Sequence, residues 1–447
     1  MGVSPSMVRE QLYAVDREKR CLIVSPYFPP STLAGVHRAR HLAKYLPAFG
    51  WQPTIVCVDP RHHIEGLDPE LARLVPTSVR IVRAGAIPAW LTRPIGIAAD
   101  IGLRGYFHLR SVVAKEMRRE RVDAVLITGS PYYPMLMTEW IQRCWNVPVV
   151  LDFQDPWVSH VGEDAPRWSK LGISHRLAVA LEPKAVRHAT FITSVSMQQN
   201  EEMASRYPWL HRARMSDIPI GGDPEDLNAL RSSAAMTRSE TDRVVFSYVG
   251  TALPRSGPLL HALFRGLAQL RGTNPRLAER IRFRFVGTSN QPNDSTTHRV
   301  RPIAESEQVA DLVSEEPARV PFLDALGILA TTDVVLLVGS DEPHYTASKI
   351  YPGLMSGRPF LSIFHRMSSS YEILVRAGGG LALSFGTTEE LSRLIPAIAE
   401  GLERLVLNPG SFGQANPDAY SQFTARAVAG QFAQVFEQAT KQYHPLE

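Results

Sequence analysis

Asp217-Ile218-Pro219-Ile220-Gly221-Gly222-Asp223-Pro224-Glu225-Asp226-Leu227, near the middle of the 447-residue chain, is the stretch that decides the fold. A short apolar strand runs into two glycines and an acidic turn whose Asp223-Pro224 step starts the next segment, so the chain reverses sharply. Alone, this would also serve as an ordinary strand-to-helix loop, because Gly and Asp-Pro are common punctuation. What lies on either side makes it a hinge between two domains.

On both sides, short apolar runs bounded by turn residues alternate with segments of helical period, the pattern of βαβ units around a parallel sheet. The runs before the hinge are Cys21–Val24, Thr54–Val58, Val79–Val82, Ala124–Ile127, Val147–Leu151 and Phe191–Ser194. Helices are expected between them at Val36–Leu46, Phe107–Glu120, Tyr133–Trp145 and Leu171–His188. A polar stretch, Arg231–Arg243, follows the hinge. The pattern then restarts with Val244–Val249, Phe283–Val286, Val334–Val338 and Phe360–Ile363, and with weaker candidates at Leu381–Ser384 and near Leu312. The expected architecture is α/β, two Rossmann-like domains over residues 1–222 and 223–447, closed by a terminal helix within Tyr420–Thr440.

Composition narrows the function classes. Hydrophobic residues make up 44% and charged residues 21%, as in a globular enzyme, and no repeat or low-complexity tract occurs. A net charge of +4 suits anionic ligands but is far too small to signal nucleic acid, which is not an expected partner. Cys21, Cys57 and Cys144 stand singly, without zinc or disulfide spacing, and read as buried thiols in a reducing compartment. Met1–Arg20 has no apolar signal core, and no run of about 18 apolar residues occurs, so a cytosolic protein without a membrane span is expected. Leu103–Val122 mixes Arg104, Arg110, Lys115, Arg118, Arg119 and Arg121 with Phe107, Leu109, Val112, Val113 and Met117. Such a basic amphipathic helix can lie on anionic lipid at the inner face of a membrane, or can be a solvated helix packed on the sheet.

The candidate site residues follow strand ends, where open α/β sheets bind ligands. Ser25 to Arg38 is an irregular loop in which Gly35 permits close backbone approach at a helix start. Asp152 and Asp155, in Asp152-Phe153-Gln154-Asp155-Pro156-Trp157, are carboxylates able to bind hydroxyls or act as a base. Asp152 reads equally well as structural, and Asp155 also as the cap of a proline turn. Thr128-Gly129-Ser130-Pro131 lines the same wall. In the second half, Gly250 and Thr251 expose backbone amides to a diphosphate while Arg255 neutralises it. In Tyr345 to Phe360, Thr346 or Ser348 caps a short helix, Lys349 meets the same diphosphate, and Gly357 ends the helix. No D-x-D pair is present to hold a metal on a diphosphate, and no G-x-G-x-x-G is present at the first loop, which argues against a dinucleotide oxidoreductase.

These phrases together resemble sugar-nucleotide glycosyltransferases of GT-B fold, similar to glycosyltransferase family four. The hinge resembles that family's "I-P-N-G-V-D-P-E-D-F". The Cys21–Val58 segment resembles its opening, Asp152–Trp157 its "D-x-R-D-P-W", Gly250–Pro258 its "G-T-L … R/K-G-P", and Ala347–Phe360 its "P-S-K-L-Y-E-Y-L-A-A-G-R-P-V". Two positions depart from it: Gln154 stands for the usual Arg, and Pro352 for the Glu that commonly holds the donor ribose, with Asp341 and Glu342 upstream as substitute carboxylates.

The resemblance implies two Rossmann-like domains facing across a cleft, the first on the acceptor side and the second holding the donor nucleotide. It implies a retaining, metal-independent transfer of a sugar to a glycan, lipid-linked or small-molecule acceptor, with the nucleoside diphosphate-sugar as co-substrate and no cofactor. The rival expectations are a nucleotide-sugar epimerase on the same fold and a non-catalytic sugar-nucleotide or partner-binding protein, which Pro352 keeps open.

Overall fold

The computed structural model describes residues 18–94, 96, 100–231, 242–289, 294–342 and 347–443. Thr346, one of two expected helix caps, lies outside the described residues, as does nearly all of the polar stretch that follows the hinge. Among the described residues, thirteen strands form two parallel sheets. The first contains β1 (Lys19–Val24), β2 (Trp51–Val58), β3 (Arg80–Ala84), β4 (Ala124–Gly129), β5 (Val149–Phe153), β6 (Phe191–Ser194) and β7 (Met215–Asp217), in the order β3-β2-β1-β4-β5-β6-β7. The second contains β8 (Val244–Val249), β9 (Ile281–Val286), β10 (Val313–Glu316), β11 (Val334–Val338), β12 (Phe360–His365) and β13 (Gly380–Phe385), in the order β10-β9-β8-β11-β12-β13. Each order reverses at its first strand, between β1 and β4 and between β8 and β11, so the loops after β1 and β8 open at the switch points where α/β sheets take ligands.

Alternation along each strand feeds two cores per sheet. Leu22 and Val24 face one core with Val125, Ile127 and Leu151, while Cys21 and Ile23 face the other with Ile55, Leu126 and Val150. The helix Ala425–Gln442 completes the second of these cores: Val428, Ala429, Phe432 and Phe436 lie in it, and Phe436 packs on Trp51 at 5.0 Å. The last helix of the chain therefore returns to the first sheet, as a GT-B fold requires.

Two strands of chain pass between the halves side by side. Gly222 donates to the Phe423 carbonyl (3.0 Å), and Ala425 donates back to the Gly222 carbonyl (2.7 Å). Gly221 has a φ of +74°, and a Cβ there would sit 2.3 Å from the Phe423 oxygen. Glycine is required at this position twice over, by conformation and by the crossing.

Several sequence expectations are corrected. Cys144 is exposed, although Cys21 and Cys57 are buried, and burial holds the Cys57 thiol up at about 12. The expected Tyr133–Trp145 helix divides into a 3₁₀ turn at Tyr133–Met137 and a helix at Thr138–Trp145. The basic helix runs over Ile101–Arg119, starting earlier than expected because Asp100 caps the Leu103 amide at 2.8 Å. Its Leu109, Val113 and Met117 face the core, and Arg104 is buried, donating to the carbonyls of Ile87 (2.8 Å) and His62 (2.7 Å). Among the described residues no helix is long and apolar enough to cross a membrane.

The crossing predicts a stability difference. Gly50 also has positive φ, +77°, but a Cβ there meets nothing within 4 Å. Gly50→Ala should cost about 1–2 kcal/mol for its backbone conformation alone, and Gly221→Ala measurably more in urea denaturation. Equal costs would show that the two crossing segments do not constrain each other.

Candidate active site

The site is built on the helix Val36–Tyr45, which follows β1 at the switch point. Its polar side chains are not solvated. Arg38 and Arg40 are fully buried, and each holds a carboxylate: the Nε of Arg38 lies 3.2 Å from Asp152 Oδ2, and Arg40 donates to both oxygens of Asp226 at 2.8 and 2.5 Å. Arg38 also donates to the carbonyls of Pro219 (2.9 Å) and Ile218. Tyr45 and Lys44 hold Asp223 at 2.8 and 2.7 Å. One helix thus grips the hinge at Ile218, Pro219, Asp223 and Asp226. Phe432 of the closing helix covers the Arg38 guanidinium at 4.9 Å, and Phe322 of the second half covers that of Arg40 at 5.5 Å.

Asp152 is consequently not a cleft residue. It is fully buried and takes hydrogen bonds from Thr128 (2.8 Å) and Thr193 (2.9 Å) beside its pairing with Arg38, and it lines neither cavity described below. Its role is structural. Asp155, three residues on, stands in the cleft wall with its carboxyl open to the recess but surrounded by protein, and desolvation raises its pKa. The Tyr132 hydroxyl donates to its backbone carbonyl (3.0 Å), and Tyr132 stacks on Trp157 at 5.3 Å, which stiffens this loop. Gln154, at the family's Arg position, donates to Thr128 Oγ1 (2.7 Å) and to the Gly35 carbonyl (3.2 Å), joining the two loops of the first wall.

Two adjoining cavities occupy the space between the halves. A mainly apolar pocket of about 230 Å³ is lined by Gly250, Thr251, Ser348 and Lys349, and by His37, Arg319, Phe322 and Pro352. A wider, more polar recess of about 840 Å³ is lined by Gly35, Asp155, Arg255 and again Ser348. Of the eight candidate residues, only Asp152 falls outside both.

The cations differ in availability. Lys349 donates to the Tyr248 hydroxyl and the Thr251 carbonyl (3.3 Å) and lies 4.1 Å over the Tyr248 ring, directly beneath Gly250. It occupies the N-cap position of the helix Ile350–Met355, which neither it nor Ser348 caps with a side chain. The expected Ser348 cap is therefore not made. Arg255 is engaged by Asp341 (2.6 Å) and Glu342 (3.1 Å), the carboxylates considered as ribose ligands, so an anion reaching it competes with both.

Sequence reasoning missed Arg319. It is half-buried in the apolar pocket, has no carboxylate partner among the described residues, and burial lowers its pKa. His37 is held neutral by burial, with Arg40 and Arg319 adding to the effect, and lies against Phe322 at 4.3 Å. The signal for Arg319 was the run Arg319-Val320-Pro321-Phe322, soon after a strand end.

His41, Asp223 and Asp226 are the one group among the described residues spaced to ligate a metal. Arg40 and Lys44 already neutralise its carboxylates, and Arg40 Nη2 sits 2.9 Å from His41 Nε2. A cation there would meet two positive charges.

The glycosyl transferase 4-like domain family matches residues 34–221. No curated protein matches the chain. Among solved structures, Anabaena HepE in complex with UDP and glucose is 14% identical with a TM-score of 0.57, over 94% of this chain and 99% of that one. The α,α-trehalose-phosphate synthase (UDP-forming) from Burkholderia xenovorans, in complex with glucose-6-phosphate, is 12% identical with a TM-score of 0.61, over 94% and 100%. WaaG, a glycosyltransferase involved in lipopolysaccharide biosynthesis, is 13% identical with a TM-score of 0.54, over 93% and 99%. At such identities the structural likeness establishes the fold alone. Residues 34–221 match the glycosyl transferase 4-like domain family, and the chain as a whole has the two-sheet GT-B fold of these solved structures.

Proposed function

We propose that the chain moves a sugar from a nucleoside diphosphate donor, held by residues 223–447, to a hydroxyl of an acceptor held by residues 1–222. The observation that carries this reading is the convergence of Gly250, Thr251, Ser348, Lys349 and Arg319 from one half, and Gly35 and Asp155 from the other, on adjoining cavities. Lys349 and Arg319 are the groups placed to meet the negative charge of the diphosphate, and the apolar shelf of Val320 and Phe322 suits the flat face of a base. UDP in HepE and UDP-glucose in a second HepE complex make UDP-sugars the first donors to test.

In the transfer, the acceptor oxygen bonds to the anomeric carbon as the bond to the diphosphate breaks. The departing phosphate takes the acceptor proton, giving retention at one face of the sugar, while Asp155 orients the hydroxyl. Lys349 and Arg319 then offset the charge of the leaving group without a metal, in keeping with the lack of a D-x-D pair. With Pro352 at the family's Glu position, the ribose loses that carboxylate partner, and Arg319 and the backbone at Gly287 are the groups near enough to compensate. Pro352 also favours a second reading, a nucleotide-sugar-binding protein without turnover. Release of nucleoside diphosphate from donor and acceptor separates the two.

Calorimetric titration of UDP, with EDTA in excess throughout, tests the donor wall. Lys349→Ala and Arg319→Ala should each weaken binding about tenfold or more, the loss of a charge-assisted contact. Arg255→Ala should weaken it less, because Asp341 and Glu342 already occupy that side chain. Unchanged affinity in both Lys349→Ala and Arg319→Ala, or binding abolished by EDTA, would contradict the assignment.

The two aspartates should behave oppositely. Asp152→Asn leaves Arg38 buried without its counter-ion and should cost about 3–5 kcal/mol of stability. Asp155 has a raised native pKa, so its contribution to stability is full below the unfolded value, about 3.9, and is lost as pH rises through the native one. Asp155→Asn should therefore raise the denaturation midpoint at pH 7, with no gain at acid pH, while impairing transfer and sparing UDP affinity. A destabilised Asp155→Asn protein, or a stable Asp152→Asn protein, would reverse the roles.

A further inference from the structure

The helix Lys170–Val186 has no ordinary reading as a surface helix. Its inward stripe, Ala178, Glu182 and Ala185, is buried. Opposite lies the stripe Lys170, Ile173, Leu177, Ala180 and Lys184, all exposed and spaced three or four residues apart. A surface helix normally turns polar residues outward; this one presents an apolar strip with a lysine at each end. Leu171, Ile173, Leu177 and Val179 are each 42–49% exposed, and Trp168, just before the helix, is 83% exposed with Arg176 over its ring at 5.0 Å. From Ala165 to Leu181 there is no Asp or Glu, while Arg167, Lys170 and Arg176 add positive charge; Glu163 and Asp164 precede this stretch.

We propose that this face docks on an anionic lipid surface. Charge complementarity selects that occupant: apolar side chains enter the headgroup boundary, Trp168 sits at its level, and the lysines and arginines meet lipid phosphates. The placement gives the contact a use. Glu182, fully buried, accepts from the Val158 amide (3.1 Å), from Arg206 (3.0 Å) and from Tyr207 (3.0 Å), which pins the helix to the loop carrying Asp155. A membrane under this helix lies beside the acceptor wall of the cleft, so the acceptor is lipid-linked. That last step rests on the transferase reading; the lipid contact does not. The contact also moves from the helix expected to make it, whose Leu109, Val113 and Met117 face the core and which exposes Phe107 alone of its large apolar side chains.

Co-sedimentation of the full chain with vesicles tests this, without donor or acceptor, so that a failed donor assignment leaves the result readable. Vesicles of equal parts phosphatidylglycerol and phosphatidylcholine should bind the protein, and vesicles of phosphatidylcholine alone should not. Lys170→Ala and Lys184→Ala should each weaken binding about fivefold. Ile173→Ser with Leu177→Ser should weaken it tenfold or more with the denaturation midpoint kept, since both side chains are exposed. The proposal is overturned by absence of binding to the anionic vesicles, by variants that bind as the parent does, or by a loss seen only in Phe107→Ser. It is also overturned if the parent is a dimer that the double serine variant converts to a monomer, which would make this face an interface between copies.

Discussion

Two fully buried guanidinium groups, Arg38 and Arg40, tie the first sheet to the hinge, and the rest of the molecule is built around them. Removing such an ion from water costs several kcal/mol, recovered only when the geometry is good and the remaining donors find acceptors. Here Asp152 pairs with Arg38 by charge and Asp226 and the carbonyls of Ile218 and Pro219 accept, leaving only the Nε of each arginine without a hydrogen bond among the described residues; these partners belong to the end of β5 and to the hinge. The arginines are folded correctly only when the strand, the hinge and the next helix are all in place. The active-site helix, the hinge and the closing helix therefore form one unit, with Gly221 letting the two crossing segments touch.

Much of the fold was legible because parallel strands buried on both faces are continuous apolar runs. β7 was harder: its Met215–Asp217 is short and mostly polar, and it is defined by pairing with β6 rather than by composition. β10, Val313–Glu316, has one apolar residue followed by a serine and two glutamates, and so gave only a weak signal near Leu312. The boundaries that shifted did so at caps such as Asp100, where one hydrogen bond extends a helix by a turn.

The site was legible as loops and not as side chains. Gly35, Gly250, Thr251, Ser348 and Lys349 follow strand ends, and topology alone carries them to the cleft. Which of two neighbouring aspartates enters the cleft is decided by the pleat: Asp152 is still on β5 and points into a core polar cluster, while Asp155 is past its end. Burial of Arg38 and Arg40 runs against the usual exposure of arginine, and nothing in one sequence marks their partners, which lie more than a hundred residues away. Arg255 was read as free for a ligand because the adjacent carboxylates sit in a distant segment, after β11.

If the chain works as proposed, a nucleotide sugar sits between the two halves and touches both. Hydrogen–deuterium exchange on the full chain, with and without a saturating UDP-sugar, reads this directly. It predicts slowed exchange at 248–252, 319–322 and 347–352 in the second half and, in the same sample, at 34–41 and 219–223 in the first. Slowed exchange confined to one half, or lying outside these segments while calorimetry reports binding, would contradict it.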